Sequence, residues 1–184
     1  MRNTYHENLI QKVFDLSESS YWNDAVLEWE ITDCEEDAEL LSSCVCGKEN
    51  LRYLFTIQNT RNRNILHPIG SSCIKKFERD DLNEIASIQE KLFKLYHAII
   101  NSNYITLSNE FFSRKLLAYL FEVGAFESNE YNDFYPEIDY EFMLKMFNKR
   151  DKYSITGAQQ KKINAIIMNS IRPYLVEQLL DRTK

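Results

Sequence analysis

The spacing of apolar residues changes period once along the chain, from short alternating runs to long helical ones. In "NLIQKVFDL" Leu9, Ile10, Val13, Phe14 and Leu16 fall at helical spacing and predict an opening helix. "AVLEWEI" then sets Leu27, Trp29 and Ile31 against Val26, Glu28 and Glu30, the period of a strand over about residues 25–32. "TDCEEDAELLSS" reads as an acidic connector. In "LRYLFTIQ", Leu51, Tyr53, Phe55 and Ile57 share one face and Arg52, Leu54, Thr56 and Gln58 the other, as in a half-buried strand. The polar "NTRNRN" predicts a turn and "ILHPIG" the returning strand, with Ser71 or Ser72 placed to cap a short helix ending by Phe77.

From Asp81 onward the pattern is helical. Leu82, Ile85, Ile88, Leu92, Leu95 and Ile99 recur every three or four residues, and Asp81 and Glu84 are spaced like a capping box. Further helices fit "SNEFFSRKLLAYLFEVGAF", "DYEFMLKMF" and "TGAQQKKINAIIMNSI", with Pro173 kinking or ending the last. The expected fold is α+β: a small antiparallel sheet with a β-hairpin, followed by a C-terminal helical bundle with no further strand beyond Leu82. Residues 1–79 and 80–184 read as the two parts; no Gly/Pro/Ser-rich linker separates them, so the bundle is expected to pack on the hairpin domain.

Composition narrows the class. With 184 residues, 44% of them hydrophobic and 27% charged, the chain is expected to fold around a substantial core. It has no apolar run of membrane length and its start lacks the apolar block of a signal peptide, so a cytoplasmic protein without a membrane partner is expected. In that compartment Cys34, Cys44, Cys46 and Cys73 read as thiols or metal ligands rather than disulfides.

The net charge of −6 opposes nucleic-acid binding unless the charge is unevenly spread, and it is. Residues 13–47 hold ten acids and no Lys or Arg, whereas residues 48–79 hold seven basic side chains (Lys48, Arg52, Arg61, Arg63, Lys75, Lys76, Arg79) against Glu49 and Glu78. One reading is a solvated surface; the other is a basic face for phosphates, carried by Arg52, Arg61, Arg63, Lys75 and Lys76, beside an acidic arm (Glu35, Glu36, Asp37) for a basic partner.

The basic block also holds the thiols. Residues two apart in an extended strand point the same way, so Cys44 and Cys46 can grip one ion, and Gly47 allows a tight knuckle turn. Folding the hairpin returns Cys73 to their side. Three sulfur ligands suit zinc in a structural site, with His67 the first candidate for a fourth ligand and Cys34 the second; the alternative is three small core residues and no metal.

No catalytic set emerges. His6, His67 and His97 are the available imidazoles, and the sequence contains no P-loop, HExxH or GxSxG motif. Asp33, Glu35, Glu36 and Asp37 could hold Mg²⁺ for phosphodiester cleavage, though a solvated loop explains them as well. Phe111, Phe112, Tyr119 and Phe121 read as core, and Tyr53 and Phe55 share their face with Leu51 and Ile57, which favours burial over base stacking.

The run "CVCGKENLRYLFTIQN", followed by "LHPIGSSCIKKF" and preceded by "AVLEWEITDCEEDAE", resembles a group of small proteins carried by plasmids and phages of Gram-positive bacteria, with a zinc-ribbon-like hairpin before a helical tail. The likeness extends through "INAIIMNSIRPYL". Some proteins of this kind look like anti-CRISPR inhibitors of type II RNA-guided nucleases that act on the guide RNA or its loading. The resemblance implies metal-type positions at Cys44, Cys46 and Cys73 and RNA-facing roles for Arg52, Arg61 and Arg63; it matches no residue to a cleavage centre. The expected function is therefore inhibition of a type II effector nuclease in a bacterial host cell, acting on the guide or the guide-loaded complex, with guide truncation as one route. A nucleic-acid-binding accessory protein of a mobile element, with a structural zinc and no catalysis, is the alternative, and a small-molecule substrate is not expected.

Overall fold

The computed structural model describes residues 4–101 and 105–183. The chain divides into two compact units, Met1–Gln89 with Asp181–Lys184, and Glu90–Leu180.

The first unit begins with α1 (Thr4–Leu16) and the short α2 (Trp22–Ala25). Three strands follow, β1 (Trp29–Glu36), β2 (Tyr53–Asn59) and β3 (Ile65–Ile69), then the short α3 (Ser71–Ile74) and the start of α4 (Asp80–Asn101). The sheet is antiparallel in the order β1-β2-β3, so the predicted α+β class and hairpin hold. Leu9, Val13, Trp29, Phe55, Ile57, Ile69 and Ile74 are fully buried, and Trp22 meets Phe14 and Phe77 edge-on at centroid distances of 6.1 and 5.7 Å.

Strand β1 departs from its predicted phase at both ends. Val26–Glu28 form a 3₁₀ turn, so Leu27, expected on the buried face, is 61% exposed, while Glu28 is buried. At the other end the register shifts between Ile31 and Asp33, a bulge at Thr32 that turns Cys34 and Glu36 inward. The "acidic connector" from Thr32 to Glu36 is therefore strand, stabilised by ladder pairing with Tyr53–Thr56.

Glu28 is the polar hub of this unit. It is 1% exposed, and its carboxylate accepts the backbone N–H groups of Glu18 and Ser19 at 2.8 and 2.9 Å and the Asn59 amide at 2.6 Å. Arg61 Nη1 stands 3.5 Å away. Burial alone would raise the pKa of Glu28; the Asn59 amide, the two N–H groups and the Arg61 charge outweigh it and leave it below the ordinary value. Asn59, itself fully buried, also accepts from the N–H groups of Arg61 and Asn62 and so shapes the hairpin turn.

The second unit is helical. It comprises the rest of α4, then α5 (Arg114–Glu122), α6 (Pro136–Asn148), α7 (Gly157–Ile166) and α8 (Arg172–Leu179). Ser113 caps α5, Thr156 and Gln159 form a reciprocal capping box on α7, and Phe121 of α5 stacks on Tyr140 of α6 at 4.6 Å. Pro173 neither ends nor breaks the last helical stretch. In α geometry its ring would strike the carbonyl four residues back, and the backbone instead widens to a π-helical segment over Ile167–Ile171. Among the described residues no strand follows Leu82, and no helix is long and apolar enough to cross a membrane.

Glu28→Gln should lower the stability of the protein by about 2–3 kcal/mol, because a buried charge-assisted network loses its acceptor charge. The pKa of Glu28 is lowered on folding, so its contribution is present above the ordinary carboxylate range and lost as pH falls through the folded value. Urea denaturation should thus show the gap between wild type and Glu28→Gln wide at pH 7 and closing below about pH 4.

Candidate metal centre

The three predicted thiols meet. Cys44, Cys46 and Cys73 are all buried, their sulfurs lie within 4.8 Å of one another, and Cys73 Sγ stands 3.6 Å from Cys44 Sγ and 3.4 Å from Cys46 Sγ. These separations are too long for disulfides. They are close to the roughly 3.8 Å that a tetrahedral ion with Zn–S bonds of about 2.3 Å sets between its sulfurs.

The local geometry differs from the extended-strand argument. Gly47 N–H donates to Cys44 C=O at 2.7 Å, so residues 44–47 form a turn and the two thiols converge because the chain curls. Gly47 has φ +94°, which L side chains rarely adopt. The turn is held from outside: Val45 N–H donates to Pro68 C=O at 2.9 Å, and Asn8 Nδ2 of α1 donates to Cys46 C=O at 3.0 Å. Cys73 arrives from α3, whose N-cap is Gly70 rather than Ser71 or Ser72. Gly70 N–H points at Cys44 Sγ, 3.4 Å away, and a Cβ on Gly70 would sit 3.0 Å from Leu51 Cδ2, so only glycine brings the backbone this close without displacing Leu51.

The cluster is electronically polarised. Cys44 shares the Cys73 proton and accepts the Cys46 and Gly70 N–H groups, which bring its pKa down to about 5, whereas hydrogen bonding to Cys44, with burial, pushes Cys73 up. The cluster thus favours the thiolate, the form that binds a soft cation, at Cys44 over Cys73.

Neither candidate for a fourth ligand joins the sulfurs. His67 is exposed on β3, with Nδ1 2.8 Å from Thr56 Oγ1 on the neighbouring strand. Cys34 is paired with Phe55 on β1, the sheet edge away from β3, and cannot reach α3. Among the described residues the three thiols are the one cluster of metal-type donors, so the Mg²⁺ set at Asp33, Glu35, Glu36 and Asp37 does not assemble. Alternation along β1 sets Asp33 and Glu35 on one face and Glu36 on the other, Asp37 lies past the strand, and each of three has an internal partner. Asp33 pairs with Arg182 at 3.0 Å and Glu36 with Arg52 at 3.4 Å. Asp37 accepts the Ser42 hydroxyl and the N–H groups of Ser42, Leu41 and Glu39, which, the hydroxyl above all, hold its carboxyl below the usual range.

The predicted contact residues therefore divide. Glu36 and Asp37 are buried, leaving Glu35 half-buried as the remaining member of the expected docking arm. Arg52 and Arg61 reach buried carboxylates, and Arg79 is spent on Asp81 and the carbonyls of Val26 and Trp29. Lys48, Arg63 and Lys75 are exposed and Lys76 is half-exposed. Two clefts open on the sulfurs. One of about 170 Å³ is lined by Cys44, Cys73, Lys48, Arg52 and Tyr53, and one of about 480 Å³ by Cys46, Cys73, Lys48, Lys76 and Tyr5. Sequence reasoning missed Glu28 and Asn59 as organisers of the hairpin and Asn8 as a brace of the knuckle, because isolated polar residues carry no periodic signal.

Gly47→Ala should cost about 1–2 kcal/mol from backbone strain alone, since nothing lies closer than 3.8 Å to the added methyl. Chemical denaturation of the variant against wild type measures it. Compared with family models, curated proteins and solved structures, the chain matches none, so no relative assigns a role to these residues.

Proposed function

We propose that the protein inhibits a type II RNA-guided nuclease by acting on its guide RNA through the first unit, and that a structural zinc ion held by Cys44, Cys46 and Cys73 fixes the contact surface. The carrying observation is that Lys48, Arg52 and Lys76, with Tyr5 and Tyr53, line the two clefts that open on the thiol cluster. Cations beside aromatic rings suit an RNA strand, whose phosphates and bases they can meet together. The resemblance of residues 44–77 to plasmid and phage proteins, some of which look like anti-CRISPR inhibitors, supports the choice of target. No group is assigned to bond cleavage, so guide truncation and blocked loading both fit the inhibitor reading.

A second reading has its own support. Burial of Glu36 and Asp37 removes two of the three acids of the arm expected to engage a basic nuclease, and an accessory nucleic-acid-binding protein needs no such arm.

For zinc, the purified protein should carry about one equivalent, and Cys73→Ser should lose it. A chelator should lower the thermal midpoint, because structural metal binding is coupled to folding. For function, the protein incubated with an assembled guide–nuclease complex should shorten the guide, displace it or stop target cleavage. Lys48→Ala with Lys76→Ala should weaken that effect at unchanged stability. Arg52→Ala and Arg61→Ala are poorer tests, since each leaves a buried carboxylate without its cation. Unchanged guide and target cleavage across several type II nucleases, together with tight binding to free RNA, would replace the inhibitor reading by the accessory one.

A further inference from the structure

The second unit holds a cleft of about 510 Å³, within the range of small-ligand sites, lined by Asn129, Tyr131, Asp139, Lys161, Ile166 and Ser170 among others. Its rim is built at a cost. Tyr131 lies in the loop between α5 and α6, whose Asp133 and Phe134 both adopt left-handed backbone conformations, with φ 52° and 64°. Such strain persists only where the surroundings over-determine it. Here the determinant is Asn132, which is fully buried. Its Oδ1 accepts from Asn129 N–H at 2.9 Å, and its Nδ2 donates to Glu127 C=O at 2.8 Å and to Asp139 Oδ2 at 2.9 Å. A buried polar network and two strained residues thus hold a loop whose aromatic rings face outward: Tyr131 is 85% exposed, Phe134 67% and Tyr135 64%.

The polar groups of the cleft are specific in kind. Asp139 is 4% exposed, and with Oδ2 committed to Asn132, its Oδ1 makes no hydrogen bond within the protein. Lys162 Nζ lies 3.0 Å from that oxygen, so the charge is compensated although the contact is off the hydrogen-bonding direction. A buried acceptor of this kind has capacity for an N–H donor. Lys161, exposed at the cleft, supplies a positive charge for an anion. The opposite wall is the π-helical segment, which carries buried Ser170, and interruptions of this type recur at binding sites.

We propose that this cleft binds a nucleotide of a single-stranded nucleic acid: the base stacks on Tyr131 and donates an N–H to Asp139 Oδ1, and the adjoining phosphate meets Lys161. The three requirements are a flat apolar face, an N–H donor and an attached anion. A nucleotide meets all of them in one residue. An acidic peptide would meet Lys161 but would bring a second carboxylate to Asp139, and a basic peptide would repeat the cation that Lys162 already provides. A duplex keeps its bases stacked and its donors paired, so it offers Tyr131 no free face. The site is independent of the thiol knuckle and of any nuclease.

The test is an amide-resolved NMR titration of the full chain with a short single-stranded oligoribonucleotide, with the same strand annealed as a duplex, and with a polyglutamate peptide. Single strand should shift amides within residues 129–139 and 161–170. Tyr131→Ala should weaken that binding about tenfold and Tyr131→Phe should preserve it, since stacking needs the ring and not the hydroxyl. Lys161→Ala should weaken binding severalfold and flatten its salt dependence. Both side chains are exposed, so neither variant threatens the fold. The proposal fails if single strand leaves these amides unmoved, if Tyr131→Ala binds as wild type does, or if duplex or polyglutamate occupies the same amides as tightly. Because no nuclease is present, these outcomes do not depend on whether the protein inhibits one.

Discussion

A carboxylate taken out of water must be answered by hydrogen bonds and opposite charge, and the first unit is organised around that requirement. Glu28 closes it. By accepting from Glu18, Ser19 and Asn59 it ties the segment after α1, the entry to β1 and the end of β2 to one pair of oxygens. Asn59 can then shape the turn into β3, and β3 in turn supplies the Pro68 carbonyl that braces the thiol knuckle. Glu36 and Asp37 repeat the arrangement at the other end of β1, the first through Arg52 and the second through the loop 39–42.

This changes the meaning of the two charge blocks. Seen along the chain they look like two surfaces for two partners. In space, part of each is consumed by the other, with Arg52 on Glu36 and Arg61 on Glu28. What remains of the basic block for a partner is smaller: lysines beside the sulfur cluster and Arg63 in the hairpin turn, while Asp15, Glu18, Asp24, Glu30 and Glu39 of the acidic block stay exposed. The thiol cluster adjoins this surface, because Lys48 directly follows the knuckle turn and Lys76 lies just past α3.

The fold class was legible because periodicity is a repeated signal. Phe55 and Ile57 in β2, and Leu116, Leu117 and Leu120 in α5, are buried as their spacing requires. The thiol trio was legible too, because cysteine is rare and a turn containing glycine limits where Cys44 and Cys46 can point. The phase of β1 was not, since a 3₁₀ turn and a bulge each reverse the alternation without changing composition. Nor was the absence of His67 from the sulfurs, which depends on the face that β3 turns to Thr56.

By itself the sequence determined the α+β order, the hairpin and the helical second half, because each follows from local spacing, and it determined the gathering of three sulfurs because the hairpin between them turns the chain back on itself. The tertiary structure alone decided which charges are surface and which are interior. It also decided that Asn132 and Asp139 hold a strained aromatic loop beside a cleft. The physical reason is that burial and charge pairing act through space between residues far apart in the chain, as Glu28 and Asn59 are, and no local pattern of residue types encodes which distant group will meet them.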